Sequence, residues 1–490
     1  MRHFPATSRL VKIWIFFVFS ALVGYAGMQV FAASNKVAGA PEVKTAAAPA
    51  APAASTAVAE QIEKMKREHT PSSPANRAVS FLGLFALLGI CYAMSDNRSK
   101  INWRLVAWGM GLQLLFGVLV LKTGPGLWFF EKLNTGAMAL IGFGQQGTNF
   151  LFSSFITGKV DSSLVNFTFN VLPTIIFFSS LMTLGYYLGV MQWVVNFFSV
   201  IMQKTMKCSG AETLSTAANI FVGQTEAPLV IKPYVKEMTN SELMCVMVGG
   251  FANTAGGVLA AYVGMLYQYF PDIAGHLIAQ SVMSAPAALV CAKIVMPEIG
   301  TPVTAGAHVK MVKENIDANA IDAAARGASE GMTLAFNVGA MLLAFIALIA
   351  LANAMLIYIS TSLGAPAISI EMLLGFIGTP IAWIMGVPAQ DCWTVGKLIG
   401  VKTGVNEFVA YLQLADLLKA GDQLSYRSIV IASYALSGFA NFSSIAIQIG
   451  GISGIAPTRR HDLAKLGLKA MIVGSIATFM TATVAGILIP

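Results

Sequence analysis

Gly250-Phe251-Ala252-Asn253 and Gly438-Phe439-Ala440-Asn441 are the same tetrapeptide, written twice inside apolar stretches of a 490-residue chain. Each follows a polar stretch that carries an acid, Gln224-Thr225-Glu226 before the first and Asn406-Glu407 before the second. A glycine, a small residue and an amide within an apolar run predict a helix broken at membrane depth, where freed backbone groups are tolerated only against protein or a water-filled cavity. Carboxylates at that depth are costly enough to mark function. Interrupted segments in corresponding halves are the pattern of a secondary transporter whose site lies between two repeats.

Composition agrees with a membrane protein. Apolar residues make up 56% and charged residues 11%, with a mean hydropathy of +0.69, whereas soluble chains are roughly a quarter charged. The net charge of +8 comes from Lys and Arg scattered through short loops and termini. With no basic-aromatic stripe, it fits topology and excludes a nucleic-acid partner. Cys91, Cys208, Cys245, Cys291 and Cys392 form no CxxC pair and read as small core residues.

The N-terminus stands apart from the fold. Residues 1–33 read as a signal peptide or an uncleaved anchor helix, with Arg2, Arg9 and Lys12 before an apolar run. Residues 34–78 are an Ala/Pro-rich tether followed by a short charged segment. Eight membrane segments follow at 79–94, 105–121, 171–201, 244–267, 277–296, 332–356, 429–448 and 470–490. Arg98, Lys100 and Arg104 place the first connecting loop in the cytoplasm. Two stretches, 211–234 and 393–418, are too short or too polar to span and are expected as re-entrant hairpins.

The fold expected is therefore all-α and polytopic, with about eight transmembrane helices, two re-entrant hairpins and two broken helices. Hairpin, broken helix and helix occur at 211–300 and again at 393–490. Residues 79–210 precede the first unit and 301–392 separate the two, with the one span 332–356 making the number of crossings odd and inverting the second repeat.

Three long motifs carry a family likeness. The run from Gly223 through Gln224-Thr225-Glu226-Ala227-Pro228 to Leu229, the run Ser281-Val282-Met283-Ser284-Ala285-Pro286, and the run Gly400-Val401-Lys402-Thr403-Gly404-Val405-Asn406-Glu407-Phe408-Val409-Ala410-Tyr411 resemble the concentrative nucleoside transporters. The last fits that family's Gly-x-Lys-x3-Asn-Glu-Phe-Val-Ala-Tyr signature at every position. Ser95-Asp96-Asn97-Arg98, Ile101-Asn102-Trp103-Arg104 and the stretch from Asn315 to Gly331 extend the likeness from about residue 79 to the C-terminus.

The resemblance implies a homotrimer, multi-pass in the cytoplasmic (inner) membrane, that imports nucleosides with a co-transported sodium ion or proton and no cofactor. It places Gln224, Thr225 and Glu226 near the nucleobase, with Val258 packed against it. Glu407, Asn441 and Ser444 would hold the ribose, and Phe439 would lie against the nucleoside. The cation falls to Asn219, Val222, Asn253 and Thr254. Asn253 departs from the family pattern, since a serine or threonine is usual there in sodium-coupled members. An amide oxygen still ligates a hard cation, so sodium is the first expectation and a proton the alternative.

These roles also have a chemistry independent of the likeness. A carboxylate only accepts, and its two oxygens can take both vicinal hydroxyls of a ribose, which suits Glu407. Asn441 and Ser444 are three residues apart and share a helical face. An amide donates and accepts, so Gln224 can read a base edge. Asn441 and Ser444 also admit a reading as interhelical contacts, and Glu226 one as a cap at a hairpin tip. Lys402 either pairs with a nearby acid or snorkels to the interface. Asp391, Glu298 and Lys293 are expected at membrane edges, where charge costs little. The alternative cargo is another polar small molecule carried on the same fold. An enzyme would need clustered metal-binding acids, and a channel would need a pore-lining ring.

Overall fold

The computed structural model describes residues 74–130, 132–137, 172–307, 309, 317–364, 366–420 and 424–489, without the side chains of 172, 338, 339 and 341–351. The expected leader or anchor, most of the tether and Asn315 lie outside the described residues. All regular secondary structure among the described residues is helical. Helices α1 (Pro74–Ala93) and α2 (Trp103–Lys122) follow the first two apolar runs, and Asn102 starts α2 by accepting from the Leu105 N–H.

The run 171–201, read as one segment, is instead two helices. α3 (Leu172–Leu188) and α4 (Val190–Met206) meet at a bend of 78°. The bend falls at Gly189, whose φ of +82° is one a side chain would disfavour. Hydropathy cannot register such a turn, because the residues on both sides are equally apolar. Met191, Val195, Ser199, Met202 and Met206 form a buried stripe along α4, the spacing of a helix with one face on the protein.

The first repeat begins with α5 (Gly210–Ala218), a 3-10 turn Ala227–Ile231 and a short turn Lys232–Val235. Reciprocal capping by Ser209 and Glu212 sets the start of α5. α6 (Asn240–Ala252) starts with the same device, Thr239 and Glu242, and gives way at Asn253–Ala255 to α7 (Gly256–Leu266). α8 (Ile273–Val295) follows, buried along nearly its whole length. The 43-residue α9 (Ala320–Ser362) then lies along α3, where Ser180 Oγ donates to the Ala324 carbonyl at 2.8 Å. At 1.5 Å per residue α9 is about 65 Å long.

Helix α10 (Ile370–Ile384) lies in the region read from sequence as loop and scaffold helix, and it packs closely on α11 (Cys392–Gly404). After Val405-Asn406 comes α12 (Glu407–Ala420). With 13 and 14 residues, α11 and α12 each reach only about 20 Å, short of the roughly 30 Å of a hydrocarbon core. α13 (Tyr426–Leu436) and α14 (Phe442–Ile455) flank the second tetrapeptide, and α15 (Arg460–Leu488) closes the chain. Short helices, a broken helix and a long helix thus recur in the order the sequence indicated.

Five helical stretches among the described residues are long and apolar enough to cross a bilayer, or six if the bent α3–α4 pair is one span. The 429–448 segment is not among them, because it falls on α13 and α14, of 11 and 14 residues. The core is built by α6, α8, α13 and α15 packing on one another, with α1 and α2 laid across them.

Candidate functional site

The two tetrapeptides meet at the centre of this core. A Cβ on Gly438 would stand 2.8 Å from the Phe251 carbonyl oxygen and 2.5 Å from Thr478 Oγ1, so only glycine lets the second break approach the first. Thr254 Oγ1 donates to the Ser437 carbonyl across the two breaks. Gln280 of α8 donates to the Ala252 carbonyl at 3.2 Å, satisfying one of the acceptors that the end of α6 leaves free.

From this crossing a continuous polar chain runs through otherwise apolar packing. Asn441 is the N-cap of α14 and accepts from the Ser444 N–H at 2.9 Å. Its Nδ2 therefore faces the other way and donates to Glu407 Oε2 at 2.6 Å. Gln224, in the polar turn after α5, donates from Nε2 to Ser444 Oγ at 3.3 Å. Glu407, Asn441, Ser444 and Gln224, separated by up to 220 residues, are brought together and all are buried.

Glu407 lies in the first turn of α12 and bonds the N-cap of α14, so the positive ends of two helix dipoles bear on one carboxylate. The other positive group is Lys402. It is 0% exposed, which rules out snorkelling, and its Nζ has no hydrogen-bond partner. It rests 5.6 Å over the Phe479 ring, and the charge acting on it is that of Glu407. Tyr262, stacked on Tyr411 at 4.2 Å and meeting Phe408 edge-on, also lies within the field of Glu407.

The remaining expected residues divide. Thr225 packs toward Gly451 of α14 and donates to Glu226 Oε1 at 2.9 Å. Glu226 is exposed, is not drawn into the Glu407 chain and acts electrostatically on Tyr186 of α3. Val258 and Phe439 are buried beside the two breaks without a polar bond that links them to the chain. Gln448 of α14 is the residue that sequence reasoning missed. It joins the chain through Gln224 at 3.1 Å, and nothing distinguishes it in sequence from any glutamine on an apolar helix.

The residues assigned to the cation cluster by the first break. Asn219 ends α5 and is buried, and neither of its side-chain polar atoms has a partner. Val222 is in the turn that follows, its N–H bonded to the Ala218 carbonyl at 3.0 Å. Asn253 Nδ2 donates to the Gly249 carbonyl at 3.1 Å, and its Oδ1 accepts from Ser284. An orphaned buried amide among carbonyl and hydroxyl oxygens is chemistry suited to a hard monovalent cation.

Of the three charges expected at membrane edges, Lys293 and Asp391 are buried and Glu298 is half-buried. Lys293 is 5% exposed and pairs with Glu212 at 2.8 Å and Glu298 at 3.2 Å. Asp391 accepts from the Ser425 N–H and hydroxyl and from Ser428 Oγ at 2.5 Å. Glu212, Ser425 and Ser428 lie far away in sequence from the charges they meet, so this pairing is not visible from position within a segment. The five cysteines are all buried.

Comparison with known proteins gives three matches to family models. Residues 82–155 match "Na+ dependent nucleoside transporter N-terminus", 168–269 match "Nucleoside recognition" and 276–486 match "Na+ dependent nucleoside transporter C-terminus". The chain is 42% identical to an uncharacterized transporter of Haemophilus influenzae, over 84% of this chain and 97% of that protein. It is also 42% identical to solute carrier family 28 member 3 of Mus musculus and 39% identical to sodium/nucleoside cotransporter 1 of Rattus norvegicus, each over 84% of this chain. It spans only 58% and 63% of the length of those two mammalian relatives. Among solved structures, CNTnw in an inward-facing substrate-bound state is similar with a TM-score of 0.76 and 41% identity, covering 84% of this chain and 97% of that one.

Proposed function

We propose a function from one premise: this chain belongs to the Na+-dependent, concentrative nucleoside transporter family. On that premise it is a secondary carrier and not an enzyme, importing nucleosides across the cytoplasmic membrane with Na+. The observation that carries the reading is the chain Glu407–Asn441–Ser444–Gln224, which joins both repeats inside an apolar core. Glu407 accepts from the ribose hydroxyls, Asn441 and Ser444 complete that network, and Gln224, with Thr225 and Glu226 beside it, meets the base. Val258 and Phe439 supply apolar contact. Buried polar groups that lose their hydroxyl partner are left unpaired, so analogues without the hydroxyl are rejected.

Na+ sits with Asn219, Val222, Asn253 and Thr254, next to the same breaks. A nucleoside is neutral and is not concentrated by membrane potential alone. One co-transported cation contributes about 2.3 kcal/mol per 100 mV, or about fiftyfold accumulation. The stretches 211–234 and 393–418 act as re-entrant hairpins of an inverted repeat, each protomer of a trimer alternating access around this site. Short α11 and α12 support that reading, as does the break between them.

Purified protein in liposomes is expected to accumulate labelled uridine or adenosine under an inward Na+ gradient. Uptake that follows only a pH gradient reassigns the ion to a proton, and accumulation of neither nucleoside under either gradient removes the reading. Asn219→Ala is expected to raise the Na+ concentration for half-maximal uptake by roughly tenfold, the equivalent of about 1.4 kcal/mol of ligand interaction. An unchanged Na+ requirement counts against Asn219 as a ligand.

A further inference from the structure

Gln448 lies one turn beyond Ser444 on α14 and is 0% exposed. Its Nε2 donates twice, to the Met247 carbonyl of α6 at 3.0 Å and to Gln224 Oε1 at 3.1 Å. The two ends of an amide are nearly indistinguishable by shape, so orientation has to be decided by partners. Here the partner decides it, because a carbonyl can only accept and must face the NH2 group of Gln448. The same NH2 group then meets Gln224, which must turn its oxygen toward Gln448 and its own NH2 group away, toward Ser444 Oγ at 3.3 Å. A main-chain carbonyl of one repeat thus fixes, through a residue of the other, which pole Gln224 presents.

The fold makes room for this relay at Gly250, the first residue of the first tetrapeptide. A Cβ there would stand 2.7 Å from Gln448 Nε2 and 2.9 Å from Gln224 Cβ. The amide is also held at a cost. Gln448 Oε1 is buried and has no hydrogen-bond partner, a penalty that an apolar side chain of equal length would avoid. Packing alone therefore does not account for a glutamine at this position.

We propose that Gln448 is a positioning residue that holds Gln224 with its N–H toward the substrate, so that the site prefers nucleosides whose base offers a carbonyl acceptor over those offering an exocyclic amine. The inference rests on the nucleoside reading above and on Gln224 lying beside the base. It makes Gln448 a determinant of base selectivity without contact to the base.

The test is uptake kinetics in liposomes for two matched pairs, uridine with cytidine and inosine with adenosine. The wild-type protein has the lower KM for the carbonyl member of each pair. Gln448→Met is similar in length and cannot donate, so Gln224 is free to turn over and accept from an amine. The KM ratio of each pair then moves toward one by about threefold to tenfold, the range of a single hydrogen bond. Gln448→Glu, which also lacks the amide donors, moves the ratios the same way. In a Gln224→Ala background, Gln448→Met changes the ratios no further, because the two residues act as one unit. A purely structural role would alter uptake of all four nucleosides alike. The proposal is overturned by a wild type without the carbonyl preference, by ratios unchanged in both Gln448 variants, or by an undiminished effect when Gln224 is alanine. A wild type that takes up none of the four sinks the transport reading itself, and this inference with it.

Discussion

Glu407→Gln is expected to lower nucleoside uptake by about a hundredfold to ten-thousandfold at subsaturating substrate, since it removes two charge-assisted bonds of roughly 1.5–3 kcal/mol each. The amide can still present its oxygen to Asn441 Nδ2, which donates at 2.6 Å to the native carboxylate. Its NH2 group then faces hydroxyls that would have donated, so the acceptor for the ribose is lost and the cavity keeps its shape. A second effect comes from Lys402, which is wholly buried with no hydrogen-bond partner and depends on the Glu407 charge. Neutralising Glu407 leaves that ammonium alone in an apolar core, a costly state. Adding Lys402→Met to Glu407→Gln separates the two effects. The double variant should recover thermal stability in detergent without recovering transport, measured as labelled uridine uptake. Glu226→Gln is the contrasting case. Glu226 is exposed and its carboxylate accepts from its neighbour Thr225, so its loss is expected to change uptake by about threefold. Normal uptake by Glu407→Gln would remove the ribose role.

The features legible in sequence were those where residue chemistry conflicts with its surroundings. A repeated glycine, amide and acid inside apolar runs can be explained only by backbone breaks, and the breaks lie where the tetrapeptides predicted them, at Asn253–Ala255 and between Leu436 and Phe442. Features that depend on long-range partners were not legible. Gln448 takes its meaning from Met247 and Gln224, and Lys293 from Glu212, all remote in sequence. The α3–α4 bend was hidden because Gly189 is one glycine among 45, and a positive φ leaves no mark on hydropathy. α10 was missed for a related reason: its 15 residues contain Pro380 and fall below the length of a span, so a window tuned to crossings passes over it.

Lys293→Met is expected to destabilise the fold by about 3–5 kcal/mol, the cost of leaving a buried partner charge uncompensated. Lys293 joins three elements of the first repeat. It pairs with Glu212 at the start of α5 and with Glu298 beyond α8, and it donates to Ser241 Oγ on α6 at 2.9 Å. Glu212 is 1% exposed and its carboxylate accepts from the Ser209 N–H at 2.7 Å, so removal of the ammonium leaves it without a counter-charge where water cannot reach it. The thermal midpoint in detergent should fall by roughly 10 °C. Adding Glu212→Gln should restore most of that loss, because a neutral pair of similar volume avoids the desolvation that the ions require. Glu298, outside the membrane segments, adds a pH dependence. Partial burial would raise its carboxyl, but the Lys293 charge and the bonds from Thr239 and the Gly300 N–H outweigh this and hold it below the ordinary glutamate value. A lowered folded value stabilises above the unfolded one and is lost as pH falls through the folded one. The wild-type midpoint should therefore decline on acidification from neutral pH more steeply than that of Glu298→Gln. If the two declined in parallel, or if Lys293→Met unfolded at the wild-type temperature, the cluster would not be what fastens the base of the first repeat.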